Sequence, residues 1–170
     1  NASRPKLVGL MMSLSGRMRP RMNDAVWGYK VMRTAGFSYN SNPVKPTYLS
    51  QTNAGACFFC SKSTFLKTRF EEELWLDDFQ YPLGEDQVMF YKMHLSGMRV
   101  LTSYNSGIKH LDAGDNRSKE KEKMLIYSDF RFKTIFWHRF IFRPEKNALL
   151  KVWDCMCIGY AFSFAFIVSL

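Results

Sequence analysis

Acidic side chains are almost missing from the first 70 residues, where Asp24 stands alone against eleven Lys and Arg. A site built from paired carboxylates is thereby excluded from that stretch. The surplus cations, part of a net charge of +9, attract anions such as diphosphates, nucleic acid or acidic lipid headgroups, or else form a solubilising surface. Cysteine is scarce as well: four residues, placed as "CFFC" (Cys57, Cys60) and "CMC" (Cys155, Cys157). Structural zinc favours Cys pairs carried on turns, whereas "GACFFC" reads as a buried strand whose alternating faces send Cys57 and Cys60 opposite ways. Buried thiols in a reducing compartment are the expectation. No secretory signal, internal repeat or apolar run of membrane-spanning length is visible; the run from Ile158 to Leu170 holds 13 residues, against roughly 20 for a span. Lys151 and Asp154 argue against extending that run upstream.

What is present points to a folded domain. The chain has 170 residues, 46% hydrophobic and 16% aromatic, enough to bury a core and too apolar for disorder. It opens on Asn and its apolar run reaches the last residue, so a piece of a longer protein is expected. Asn1-Ala2 are set aside as a candidate tag remnant.

Along the chain, "KLVGLMMSL" is expected to be a strand and residues 24 to 35 a helix, with Asn23 or Asp24 as cap and Gly36 as stop. The Ser-, Asn- and Pro-rich "SYNSNPVKPTYLSQTNAG" is expected to be loop. "ACFFCS" should be a buried strand, and "KSTFLKTR" a short helix capped by Ser61 or Ser63. "FEEELWLDDFQYPLG" is acidic and irregular, carrying aromatic anchors. An apolar helix then ends at Gly97, "MRVLTSY" forms a strand, and "SGIKHL" runs extended to His110. "DAGDNRSKEKEK" is a charged loop, and "MLIYSDFRFKTIFWHRFIFRPEK" a helix mixing aromatics with Arg and Lys. Alternating helices and strands give an α/β class.

The chemistry concentrates at "PLGEDQVMFYKMHLSG". Glu85 and Asp86 open the helix there, and acids in a first turn stabilise it by roughly 0.3 to 1 kcal/mol each. The same helix N-terminus holds a carboxylate ionised, as a general base requires. His110, at the end of its extended segment, is either a surface histidine or a ligand for a divalent cation.

The ordered set of Gly55 onward, Ser63 to Phe70, Gly84-Glu85-Asp86, the helix to Ser96, "GMRV" and His110 resembles the acceptor-side half of family 2 glycosyltransferases with the GT-A fold. The resemblance covers about 60 residues in order and spacing. It implies a partial GT-A-like mixed sheet with flanking helices over residues 3–129, followed by C-terminal helices over 130–170. It implies Asp86 as catalytic base, with Glu85, Gly84, Asp78 and Gly55 at the acceptor and His110 at a divalent metal, Mn or Mg. The implied reaction moves a sugar from a nucleotide-sugar donor to a glycan or lipid-linked acceptor, with inversion. Such an enzyme serves bacterial polysaccharide biosynthesis in the cytoplasm, at the inner face of the cell membrane. The family's Asp-x-Asp motif occurs nowhere in this sequence, so the donor-binding half is expected upstream, and this chain alone is expected to lack transfer activity.

Two other readings stand beside that one. The basic and aromatic segment 130–170 suits a membrane-surface module without catalysis, and its closing apolar run is the beginning of a membrane segment, an interfacial helix or a core helix of its own domain. A nucleic-acid binder fits the charge, but no RRM, KH, zinc-finger or helix-turn-helix signature accompanies it, and nucleic acid is not an expected partner.

Overall fold

Trp27–Val31 reads WGYKV and forms strand β1, where the sequence suggested a helix. Gly28 decides the matter. A Cβ at that position would stand 2.8 Å from the Ser50 hydroxyl and 3.3 Å from the Cβ atoms of Tyr48 and Thr102, so these neighbouring side chains approach closely only because the residue is Gly. Aromatic and β-branched neighbours suit the pleated surface, and Gly weakens a helix interior. This computed structural model describes residues 26–53, 57–78, 83–104, 107 and 119–169. The expected strand at "KLVGLMMSL" lies outside them.

Three further strands follow: β2 (Phe37–Tyr39), β3 (Thr47–Ser50) and β4 (Val100–Ser103). They form one four-stranded sheet in the order β2-β1-β3-β4. β1 runs parallel to β3, and β3 antiparallel to β4 with Tyr48 opposite Thr102 and Ser50 opposite Val100. The fold is therefore mixed α/β with a mixed sheet, as the alternation of elements implied. β3 lies inside the segment expected to be loop. Pro43 and Pro46 both lie ahead of it, and Thr-Tyr-Leu-Ser pairs once β4 is alongside. Between β3 and β4 the Ser50 and Thr102 hydroxyls bond at 2.6 Å, and the Ser50 oxygen also accepts from the Tyr29 N–H at 3.1 Å.

The helices are α1 (Lys62–Lys67), α2 (Glu85–Leu95), α3 (Lys119–Phe136) and α4 (Ala148–Ser169). A π-helical turn, Trp137–Phe142, follows α3. The expected charged loop thus gives way to helix by Lys119. The expected buried strand at Cys57 and Cys60 is absent: residues 57–60 are exposed and irregular, and they lead into the Ser61 cap of α1. Cys57, Cys60 and Cys155 are exposed, and only Cys157 is buried, which corrects the expectation of buried thiols.

The chain divides into two compact units. Of the described residues, 26–30 and those from 39 to 132 belong to one; 31–38 and 133–169 belong to the other. The core of the first comprises Met89, Phe90, Met93 and Val100, with Phe70 and Met98 packed against it. In the second, the fully buried Asp154 of α4 is clasped by the Arg33 guanidinium at 2.5 Å, and Arg33 also reaches Glu145 at 3.4 Å. Asn147 caps α4, its side chain accepting from the Leu149 and Leu150 N–H groups. Lys151 and Asp154 therefore lie within the helix. Lys151 sits over the Phe142 ring, and Asp154 turns inward.

Candidate functional site

α2 opens without a side-chain cap, because its N-cap residue is Gly84 in the left-handed region at φ +82°. Two constraints meet at this position. An L side chain is strained at that φ, and a Cβ there would overlap the ring of Phe132. Phe132, on α3, is buried and stacked on Trp75 with ring centroids 5.9 Å apart. The seat under Gly84 is therefore filled from below.

The loop leading to this seat is held by the same helix. Arg131 donates to the Asp78 carbonyl at 3.0 Å and places its guanidinium 3.7 Å from the Asp78 carboxylate. Asp78 and Gly84, on either side of residues 79–82, are thus both anchored on consecutive residues of α3. Deeper in the loop, the buried Glu73 accepts from Trp75 Nε1 at 2.6 Å and from Lys92 Nζ at 2.8 Å. Lys92, on α2, also donates to the Arg69 carbonyl at 2.8 Å. An ion pair this well enclosed ties the loop to the helix, and loss of either partner would leave a buried charge.

From the other side, the segment after β3 crosses the start of α2. The Thr52 hydroxyl donates to the Gln87 carbonyl at 3.2 Å, and the Phe58 ring meets Phe90 edge-on at 5.5 Å. Glu85 is exposed and Asp86 half-buried in the first turn, between these two supports. At its far end α2 closes with Gly97 at φ +78°. There the Met98 N–H bonds to the Met93 carbonyl and the Gly97 N–H to that of His94. Burial lowers the pKa of His94, whose ring lies edge-on to Trp27 and stacks on Tyr91.

Of the residues proposed from sequence, Gly84, Glu85 and Asp86 stand together at this helix start, and Asp78 is held by Arg131 of α3. Gly55 and His110 lie outside the described residues. Among the described residues no three of His, Cys, Asp and Glu come together to hold a metal. Arg131, Phe132, Thr52 and Phe58 support the site without any signal in the sequence that reveals it. Each acts across a long separation, and an Arg-Phe pair in an aromatic-basic helix looks like any other.

Comparison with protein-family models, curated proteins and solved structures finds no match to this chain.

Proposed function

We propose that the chain is the acceptor-side part of a family 2 glycosyltransferase of GT-A type. It transfers a sugar from a nucleotide-sugar donor to a glycan or lipid-linked acceptor. One observation carries the reading: the Gly84 seat, locked on Phe132, presents Glu85 and Asp86 on the first turn of α2 at the end of an anchored loop. Acids that served only the helix dipole would not need so constrained a glycine before them.

In this mechanism the Asp86 carboxylate takes the proton of an acceptor hydroxyl. The oxygen attacks the anomeric carbon as the bond from that carbon to the diphosphate oxygen breaks. A nucleoside diphosphate leaves, and attack from the opposite face inverts the centre. Glu85 hydrogen-bonds the acceptor, and the Arg131–Asp78 contact fixes the loop beside it. An Mn or Mg ion, when bound, would neutralise the charge growing on the diphosphate, with His110 as its candidate ligand in this chain.

The test uses the native protein and a panel of nucleotide sugars. Asp86→Asn should lower transfer by about a hundredfold or more, the range for a lost general base, and leave the unfolding midpoint nearly unchanged. Turnover retained in that variant, with only the small stability loss of a weakened first turn, would leave Asp86 a helix-capping acid and remove the reading.

A further inference from the structure

The "CFFC" segment touches α2 without taking part in the proposed reaction. Cys57 and Cys60 are both exposed, and neither is bonded to another cysteine. Residues 57–60 belong to no helix or strand, and among the described residues no backbone hydrogen bond holds them. Regular structure resumes at Ser61, whose hydroxyl accepts from the Thr64 N–H to cap α1. Two accessible thiols are thus joined by a short stretch whose bending breaks no backbone bond.

Chain length alone keeps their Cα atoms within about 11 Å of each other. A disulfide needs about 4.4 to 6.8 Å, which a bend over the two intervening phenylalanines supplies. Phe58 is what such a bend disturbs. Its ring is 41% exposed and meets the Phe90 ring of α2 edge-on at 5.5 Å, whereas Phe59 is 92% exposed. Shortening the segment turns the residue held between the two sulfurs, so a closed bridge and a seated Phe58 compete. Phe90 belongs to the core of this unit, on the helix whose first turn carries Glu85 and Asp86.

We propose that Cys57 and Cys60 form a reversible disulfide, and that its closure lifts Phe58 from Phe90 and loosens the start of α2. The oxidant is a low-molecular-weight disulfide such as glutathione disulfide. One thiolate attacks a sulfur of that reagent, forming a mixed disulfide and releasing one thiol. The other cysteine attacks the protein-side sulfur, the bridge forms, and a second thiol leaves. The pair gives up two electrons and two protons, and the reagent gains them as two thiols. Cys155 supplies an internal contrast, because it is exposed while its neighbour Cys157 is buried. The proposal is independent of the transferase reading, and its test needs no catalysis.

The 170-residue chain is equilibrated in glutathione buffers of rising disulfide fraction, quenched in acid, digested and weighed. The peptide carrying residues 57–60 should lose two hydrogens, whereas Cys155 should gain a glutathione adduct. Cys57→Ser should leave such an adduct on Cys60, and Cys60→Ser one on Cys57. In the bridged chain the amides of Val88, Met89 and Phe90 should exchange about fivefold faster, and reduction should reverse this. Phe58→Ala should abolish that difference and raise the equilibrium constant for bridging about fivefold, because no ring contact then opposes closure. Phe58→Leu replaces it if circular dichroism shows the alanine chain unfolded. Glutathione adducts on both cysteines without a bridge overturn the proposal, as does a bridge to Cys155 or to a second copy. A bridge that leaves α2 exchange unchanged, or whose effect survives Phe58→Ala, also overturns it.

Discussion

Gly84→Ala tests the seat beneath the candidate carboxylates through stability alone. The left-handed backbone at φ +82° costs a non-Gly residue about 1 to 2 kcal/mol. The added Cβ also overlaps the Phe132 ring, which is 3% exposed and backed by the stacked Trp75, so the ring has little room to retreat. Overpacking of this kind costs about 1 to 3 kcal/mol. Together the two terms predict a loss of about 2 to 5 kcal/mol, a large part of a typical domain's stability of about 5 to 15. Phe132→Ala should itself cost about 3 to 5 kcal/mol, because it empties a buried aromatic site. In that background Gly84→Ala no longer meets the ring and should cost only the backbone term. Urea unfolding of the four members of this cycle, followed by far-UV circular dichroism, measures the difference. A Gly84→Ala loss below about 1 kcal/mol, or the same loss with and without Phe132, would refute the idea that the ring fixes the turn.

Other consequences can be measured on the same protein. Glu73→Ala should destabilise the fold by about 3 to 5 kcal/mol, by stranding Lys92; Glu73→Leu combined with Lys92→Met should cost less than the two single changes summed. Burial lowers the pKa of His94, so its neutral form is favoured on folding. That stability is present above the ordinary pH of about 6.5 and is lost as pH falls below it, and thermal midpoints should decline across that window unless His94 is replaced by Gln. Burial, then the neighbouring Tyr29 and Tyr48, push Tyr104 up to about 12. Its contribution is complete below the ordinary value near 10 and disappears as pH rises towards 12. Burial, then the Asp154 carboxylate, push the Cys157 thiol up to about 11. Maleimide at neutral pH should therefore label Cys57, Cys60 and Cys155 while sparing Cys157 until the chain unfolds.

The sequence by itself determined those elements whose ends are written locally. Ser61 caps α1 by accepting from the Thr64 N–H, as a Ser before a helical run should, and Gly97 closes α2 with its two backbone bonds. The α2 helix and strand β4 lay where propensity and punctuation put them, whereas the acidic stretch expected to be irregular forms two 3-10 turns, Phe70–Glu72 and Leu74–Leu76, and the long aromatic-basic helix turns π-helical over Trp137–Phe142. Tertiary structure decided the rest. WGYKV became a strand because Ser50 and Thr102 crowd Gly28 from more than twenty residues away, and TYLS became one because β4 lies alongside it. Phe58 left the expected strand to meet Phe90 across α2. The candidate site divides in the same way. Gly84, Glu85 and Asp86 are legible as a motif, but their support by Phe132, Arg131 and Thr52 is not. Caps and turns are decided by bonds within a few residues, whereas a seat under a glycine or a clasp on Asp154 requires the chain to return to that place.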